Sequence, residues 1–239
     1  MEFEKFFNKI KEKLRKIDIQ LSNEKGKYLY DYMNLMLEWN KNINLTAITE
    51  PEDIILKHFV DSLTILKYIE KDKKIIDVGT GAGFPGIPLN IINEENNYVL
   101  LDSLNKRINF LNEVIKQLDL KNIEAVHSRV EEAGKNKIYR EQFDIAVSRA
   151  VAPLNILVEY LLPLVKVGGM CICMKGSNTE EIEDAKKALE LLGGKLEKIE
   201  NLNLPDSDIT RNIIVIKKIK NTPNKFPRKA GTPSKEPII

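Results

Sequence analysis

The run Lys74-Ile75-Ile76-Asp77-Val78, followed by Gly79-Thr80-Gly81-Ala82-Gly83-Phe84-Pro85-Gly86, constrains this chain more than any other stretch. A short run rich in isoleucine and valine reads as a buried strand. The glycines behind it end the strand in a turn whose backbone can come close to a ligand or a neighbouring element. A strand entering such a turn and then a helix is the first half of a βα unit. The longest uncharged run, Val78 to Asn93, covers this turn but has only 16 residues, broken by four glycines and two prolines. It cannot span a bilayer.

Downstream, short apolar runs alternate with helical stretches. Strands are expected at Lys74–Val78, Tyr98–Leu101, Ile123–Val126, Phe143–Val147 and Met170–Met174. Helices are expected at Ile108–Leu118, Leu154–Val165 and Glu180–Leu192, the last ended by Gly193-Gly194. Alternation of this kind builds a parallel sheet covered on both faces. Two more strands, around Lys195–Ile199 and Asn212–Ile219, are too close for a crossover helix and should form an antiparallel pair at one edge. Seven strands ending in an antiparallel pair make the expected fold an α/β class I S-adenosylmethionine (SAM)-dependent methyltransferase, Rossmann-like with an antiparallel last strand. A dinucleotide-binding domain would continue in parallel.

Before residue 73 the pattern is helical only. Phe3, Phe6, Phe7, Ile10, Leu14 and Ile17 recur at helical spacing, and Ser22 can cap a second helix bearing Leu29, Met33, Met36 and Leu37. Thr49-Glu50-Pro51-Glu52 matches a capping box opening a third helix. The expected organisation is therefore a helical cap over residues 1–70, a SAM-binding domain over 71–220 and a basic, proline-rich tail over 221–239.

The glycine turn fits two ligand templates. Gly81, Gly83 and Gly86 satisfy the dinucleotide pattern G-x-G-x-x-G; Asp77, Gly79, Gly81 and Gly83 satisfy D-x-G-x-G-x-G, the SAM loop. The acid favours SAM, because a carboxylate suits the methionine ammonium and would repel a pyrophosphate. Asp102 closes the second strand, where an acid can accept from both ribose hydroxyls. Ligands in this architecture lie at the carboxyl ends of the strands. Val130 and Glu131 are accordingly placed to meet the adenine, with a solvated acid as the alternative for Glu131. Arg149, with Lys175, is placed to orient cofactor or target, or else to pair with Asp77 or Asp102.

Absences narrow the chemistry. The fourth strand ends Ser148-Arg149-Ala150, without the Asp/Asn-Pro-Pro-Tyr of amino-group methylation, and no Pro-Cys nucleophile occurs. Cys171 and Cys173 share one face of a buried strand and read as core. No metal site is expected. An acceptor with a free lone pair, such as guanine N7, needs no general base, only proximity and alignment.

Several stretches together resemble one family, the bacterial ribosomal RNA small subunit methyltransferase G, also called glucose-inhibited division protein B. They are Leu37-Glu38-Trp39-Asn40 with Asn44-Leu45-Thr46; His58 to Leu63; Asp77 to Pro88; Leu100 to Ser103 with Lys106-Arg107; Ser128 to Glu132; Ser148 to Ala150; Lys175-Gly176; and Arg228 to Pro233. The resemblance implies SAM-dependent N7 methylation of a guanine in the decoding-region loop of 16S ribosomal RNA, with the 30S subunit or its precursor as partner. By position it implies Gly79, Phe84, Val130, Glu131 and Arg149 as cofactor contacts. Phe84 stands where members often have leucine.

His58 and Asp61 share a helix face, and a packed histidine paired to a carboxylate is the reading adopted, over a wall of the RNA cleft. Trp39 reads as a core anchor. Residues 217–239 carry seven bases and one acid, against 30 bases and 34 acids before them. The expectation is that Arg228, Lys229 and Lys235 contact RNA phosphates from a tail with no packed core, so that deleting it leaves SAM affinity unchanged. A cytoplasmic monomer is expected. The alternatives are a NAD-dependent oxidoreductase, a methyltransferase of another RNA base, and a non-catalytic RNA-binding module.

Overall fold

The computed structural model describes residues 1–177 and 180–239. Its centre is a seven-stranded sheet in the order β3-β2-β1-β4-β5-β7-β6. The strands are β1 (Lys74–Val78), β2 (Asn97–Asp102), β3 (Ile123–His127), β4 (Phe143–Arg149), β5 (Val165–Lys175), β6 (Gly194–Asn203) and β7 (Thr210–Lys218). β1 to β5 are parallel, and β7 runs antiparallel to both β5 and β6. The chain moves outward from β1 in one direction to β2 and β3, then returns to start β4 on the other side. That reversal opens a crevice above the carboxyl ends of β1 and β4.

Side-chain alternation along the strands feeds two cores. Ile75, Leu100, Val147 and Val215 face a core shared with the N-terminal helices α1 (Phe3–Arg15) and α2 (Asn23–Ile43) and with α5 (Gly86–Ile92) and α6 (Asn105–Gln117). Ile76, Leu101, Cys171, Cys173 and Ile214 face the other core, with α8 (Leu154–Leu161) and α10 (Lys186–Leu192). Both cysteines are free and fully buried. Trp39 packs on Phe110 of α6, with ring centroids 5.6 Å apart. Among the described residues, no helix is long and apolar enough to cross a membrane.

Ser22 caps α2 as expected, its Oγ accepting the Lys25 N–H at 3.2 Å. The capping box does not form: Glu50 holds the cap position without a side-chain bond, and Glu52 pairs outward with Lys9 at 3.0 Å. The third helix is also not uniform. α3 (Pro51–Ile54) widens into a π turn over Ile55–Val60 before α4 (Asp61–Leu63). The helix expected through Val165 stops at Leu161, because Pro163 has no N–H to continue it, and Leu162–Leu164 form a 3₁₀ turn. α9 (Glu181–Asp184) and α10 are separated at Ala185, where a single helix was expected.

The tail differs most from expectation. It forms no core of its own but packs on the body. Thr222, Phe226 and Pro233 are buried. The Arg140 guanidinium donates to the carbonyls of Thr222 and Phe226 at 2.6 and 2.8 Å. Buried Lys218 donates to the Leu162 carbonyl at 2.6 Å and to the Thr222 hydroxyl. Arg228 is committed to Glu159 of α8: its Nη2 meets Oε2 at 2.7 Å, and its Nε meets Oε1 at 3.0 Å. Glu159 is fully buried, so this pair takes the guanidinium away from any phosphate. Lys229 and Lys235 remain exposed.

A candidate ligand site at the strand ends

A cavity of about 790 Å³ opens over the ends of β1, β2, β4 and β5, within the range of sites for nucleotide-sized ligands. Its floor is the glycine turn. Gly79 has φ +69°, and a Cβ there would stand 2.6 Å from Val151 Cγ2, so both conformation and space require glycine. At Gly81 a Cβ would meet nothing closer than the Gly79 carbonyl at 4.0 Å, so bare backbone faces the opening.

The turn's donors are largely spent inside the protein. Gly79 and Thr80 N–H bond the Leu101 carbonyl, Gly81 N–H bonds Asp102 Oδ2 at 3.0 Å, Gly83 and Phe84 N–H bond the Thr80 carbonyl, and Gly86 N–H bonds Asp77 Oδ2 at 2.9 Å. A pyrophosphate needs a row of free N–H groups at such a turn. The geometry therefore suits a neutral or cationic ligand better than a dinucleotide.

Asp77 and Gly83 do not reach the cavity wall. Asp77 was expected to face the methionine ammonium. Instead its Oδ2 lies beneath the turn, accepting from Thr80 Oγ1 at 2.6 Å and from Gly86, while buried Oδ1 has no hydrogen-bond partner among the described residues. Burial pushes its carboxyl up to about 6, against the opposing pull of the Thr80 and Gly86 hydrogen bonds. Asp77 thus shapes the turn from below. The turn is also held from the cap side, where the Tyr32 hydroxyl of α2 donates to the Ala82 carbonyl.

The other anticipated residues, Gly79, Gly81, Phe84, Asp102, Val130, Glu131, Arg149 and Lys175, do line the cavity. Asp102 Oδ1 accepts from Leu104 N–H at 2.9 Å, and Oδ2 from Arg107 Nη1 at 3.2 Å, which fixes the carboxylate at the rim. Glu131 is not a solvated acid. It is buried in α7 (Val130–Ala133), and its Oε1 accepts the Gly231 N–H of the tail at 2.9 Å. Beside it the Tyr160 hydroxyl bonds Ser234 of α11 (Thr232–Lys235) at 3.0 Å. The tail therefore backs one wall of the cavity.

The opposite wall is a polar chain from the cap to the sheet. Asn40 Oδ1 accepts the Leu45 and Thr46 N–H groups; the Thr46 hydroxyl bonds His58 Nε2 at 2.9 Å; and His58 Nδ1 meets Arg149 Nη2 at 3.1 Å. Arg149 also donates to the Lys57 carbonyl in the π turn at 2.8 Å and to Asp61 at 3.2 Å. Asp61 in turn accepts from Arg211 Nε at 3.1 Å. Arg149 thus pairs with Asp61 rather than with Asp77 or Asp102, and His58 bonds Arg149 and Thr46 rather than a carboxylate. His58 is packed and is also part of the wall, stacked on Phe84 at 4.3 Å. Burial, then the Arg149 charge, lowers its pKa to about 3, so the ring is neutral and Nδ1 accepts from the guanidinium. Lys175 donates to the Ala152 carbonyl at 2.6 Å and pairs with Glu181 at 2.9 Å.

Arg211, which the sequence pattern does not mark, also stands in this wall. β7 is antiparallel, so its first residues, Thr210-Arg211-Asn212, and not its last stand at the ligand end. None of Arg228, Lys229 and Lys235 lines the cavity.

Known proteins resemble this chain in sequence and in fold. A family model described as rRNA small subunit methyltransferase G matches residues 25–213. A ribosomal RNA small subunit methyltransferase G of Acetivibrio thermocellus is 57% identical over 221 residues, 92% of this chain and 91% of that one. One from Clostridium tetani is 54% identical over 226 residues, 92% and 95% of the two chains. Among solved structures, M. jannaschii TYW2 in complex with AdoMet superposes with a TM-score of 0.53 at 16% identity, over 67% of this chain and 76% of that one. A SAM-dependent methyltransferase from Aquifex aeolicus does so with 0.53 at 18% identity, over 72% and 96%. At such identities the structural likeness shows the fold alone: that of class I SAM-dependent methyltransferases.

Proposed function

The chain belongs to the ribosomal RNA small subunit methyltransferase G family, and from that premise we propose how its cavity serves transfer of a methyl group from SAM to N7 of a guanine in 16S ribosomal RNA. The observation that carries the reading is the glycine turn, whose donors are satisfied internally and whose bare backbone at Gly81 faces an opening rimmed by the fixed carboxylate of Asp102. That floor accepts a nucleoside with a positively charged tail and offers a pyrophosphate little, which disfavours the NAD reading.

When bound, SAM supplies a methyl group on a sulfonium, already activated for displacement. The Gly79–Gly81 backbone would seat the methionine end. Asp102 would accept from the ribose hydroxyls, and Val130 and Glu131 would meet the adenine. Arg149 would orient the methionine carboxylate or the target guanine. Guanine N7 carries its lone pair outside the ring system and no proton, so no residue has to act as a base. Alignment within the closed wall supplies the rate. The neutrality of His58 matters here: a protonated ring beside Arg149 would add a second positive charge to a site where the methylated base itself becomes cationic.

Asp102→Asn should lower SAM affinity by about tenfold to a hundredfold, the value of a charge-assisted hydrogen bond to a ribose hydroxyl, and should also cost some stability, because one of the two oxygens that accept from Leu104, Gly81 and Arg107 becomes a donor. Titration calorimetry checks it, and unchanged affinity would remove Asp102 from the ribose site. The direct test of function is transfer of labelled methyl from SAM to 30S subunits lacking endogenous modification, with the product base mapped. A single N7-methylguanine in the decoding region supports the reading, whereas a product on another base would refute the N7 assignment.

The substrate partner is ribosomal RNA, within the 30S subunit or a precursor of it. The protein acts as a cytoplasmic monomer in this reading. Exposed Lys229 and Lys235 are the phosphate contacts of the tail. Substituting both with glutamine should reduce the slope of log affinity against log salt by about 2 without changing thermal stability, since each phosphate contact adds close to one to that slope. Binding isotherms at several salt concentrations test this.

A further inference from the structure

Beside the main cavity lies a smaller one of about 340 Å³, lined by Ala150, Val151, Ala152, Lys175, Gly176 and Glu181. The two cavities share Ala150, Val151, Lys175 and Gly176, so a group in the second borders directly on the first. Val151 is an exposed apolar side chain at this junction. Lys175 and Glu181 are both mostly buried there, with side-chain exposures of 11% and 16%.

The pair is incompletely used. Lys175 Nζ donates to the Ala152 carbonyl at 2.6 Å and pairs with Glu181 Oε2 at 2.9 Å, and among the described residues it has no further partner for its third donor. Glu181 Oε2 also accepts the Leu154 N–H at 2.8 Å, while Oε1 has no hydrogen-bond partner among the described residues. One cationic donor and one anionic acceptor therefore stand side by side, unspent, on the wall of a cavity with room for a base.

A guanine presents the complementary pair along one edge. O6 accepts and N1–H donates, and N7 follows O6 on the side away from N1. We propose that this second cavity seats the target base and that Lys175 and Glu181 select guanine, Lys175 donating to O6 and Glu181 Oε1 accepting from N1–H. Read in this way, the base turns N7 towards the main cavity. Adenine reverses both positions, with a donor at the exocyclic group and an acceptor at N1, and meets Lys175 donor to donor and Glu181 acceptor to acceptor. The inference rests on the reading of the main cavity as the SAM site of a guanine-N7 methyltransferase.

The test is methyl transfer under single-turnover conditions to subunits whose mapped target position carries guanosine, inosine or adenosine. Inosine keeps O6 and N1–H and lacks only the 2-amino group, so it should react nearly as guanosine does. Adenosine should react slower by on the order of a hundredfold. In Glu181→Gln the Leu154 and Lys175 donors hold the amide oxygen, and the amide NH₂ is turned towards N1. Transfer to guanosine should fall on the order of a hundredfold, the preference over adenosine should collapse, and SAM affinity should stay as it was. Equal rates on guanosine and adenosine with the unaltered protein, or rejection of inosine along with adenosine, would overturn the inference, as would an unchanged preference in Glu181→Gln. The analogue series uses the unaltered protein and stands even where the variant fails to fold. No transfer to guanosine by the unaltered protein, with SAM bound, would instead overturn the function on which the inference rests, and the inference with it.

Discussion

Arg228→Ala is expected to destabilise the fold by about 3–5 kcal/mol, because it strands the carboxylate of Glu159 in the core beside α8. The Arg228 backbone N–H would remain on Oε1, but the guanidinium bonds to both oxygens would be lost. Urea denaturation measures the effect. The double variant Arg228→Ala with Glu159→Gln should recover much of it, since the charge that needs a partner is gone. A role confined to RNA phosphates would leave the denaturation midpoint where it was. Deleting residues 222–239 should be at least as disruptive, and it also removes the Gly231 N–H from Glu131. Loss of SAM affinity is therefore expected from the truncation, contrary to what the sequence suggests.

The second large effect is a pair of opposed pH dependences within one wall. His58 is neutral in the folded protein down to about pH 3 but titrates near 6.5 when unfolded. The unfolded chain thus binds the extra proton, and the stability due to neutral His58, full above pH 6.5, is lost as pH falls towards 3. The whole span corresponds to about 5 kcal/mol. The groups facing the ring are the Arg149 guanidinium, the Thr46 hydroxyl and the Phe84 ring, with Asp61 beyond Arg149. Asp77 runs the other way. Its folded pKa of about 6 lies above the ordinary 3.8, so its contribution is present below about pH 4 and lost as pH rises through 6, about 3 kcal/mol in all. Between pH 6 and 4 the two roughly cancel. His58→Gln keeps an acceptor for Arg149 and should become more stable relative to the unaltered protein as pH falls through that window. Asp77→Asn should become less stable in the same comparison. Unfolding free energies at half-unit pH steps test both signs, and parallel curves for all three proteins would contradict the burial of these groups.

Much of the fold was legible because periodicity and punctuation reported it. The bounds of β1 are those read from the sequence, and the short connection between β6 and β7 required their antiparallel pairing. The site was legible where a strand end or a glycine marked it, as at Gly79, Asp102 and Arg149. What stayed hidden depends on partners distant in sequence. The π turn that frees the Lys57 carbonyl for Arg149 has no local signature. Asp77 looks like a ligand contact until the turn is seen folded over it. The tail reads as solvated because its charge is counted without its neighbours. Yet a signal existed: Glu159 is the single charged residue of the helix Leu154–Leu161, and a buried acid there requires a cation from elsewhere.

The wall backed by the tail also has a consequence in time. Chains emerge from synthesis with the N-terminal end first, and the helical cap and the strands β1 to β5 can assemble while later residues are still being added. Glu131 receives its Gly231 partner, and Tyr160 its Ser234 partner, only after residues 231–234 have emerged. The cavity wall is therefore finished only after every strand of the sheet has been made. A nascent chain whose residues 231–234 have not yet docked holds an incomplete pocket, even with its whole sheet assembled.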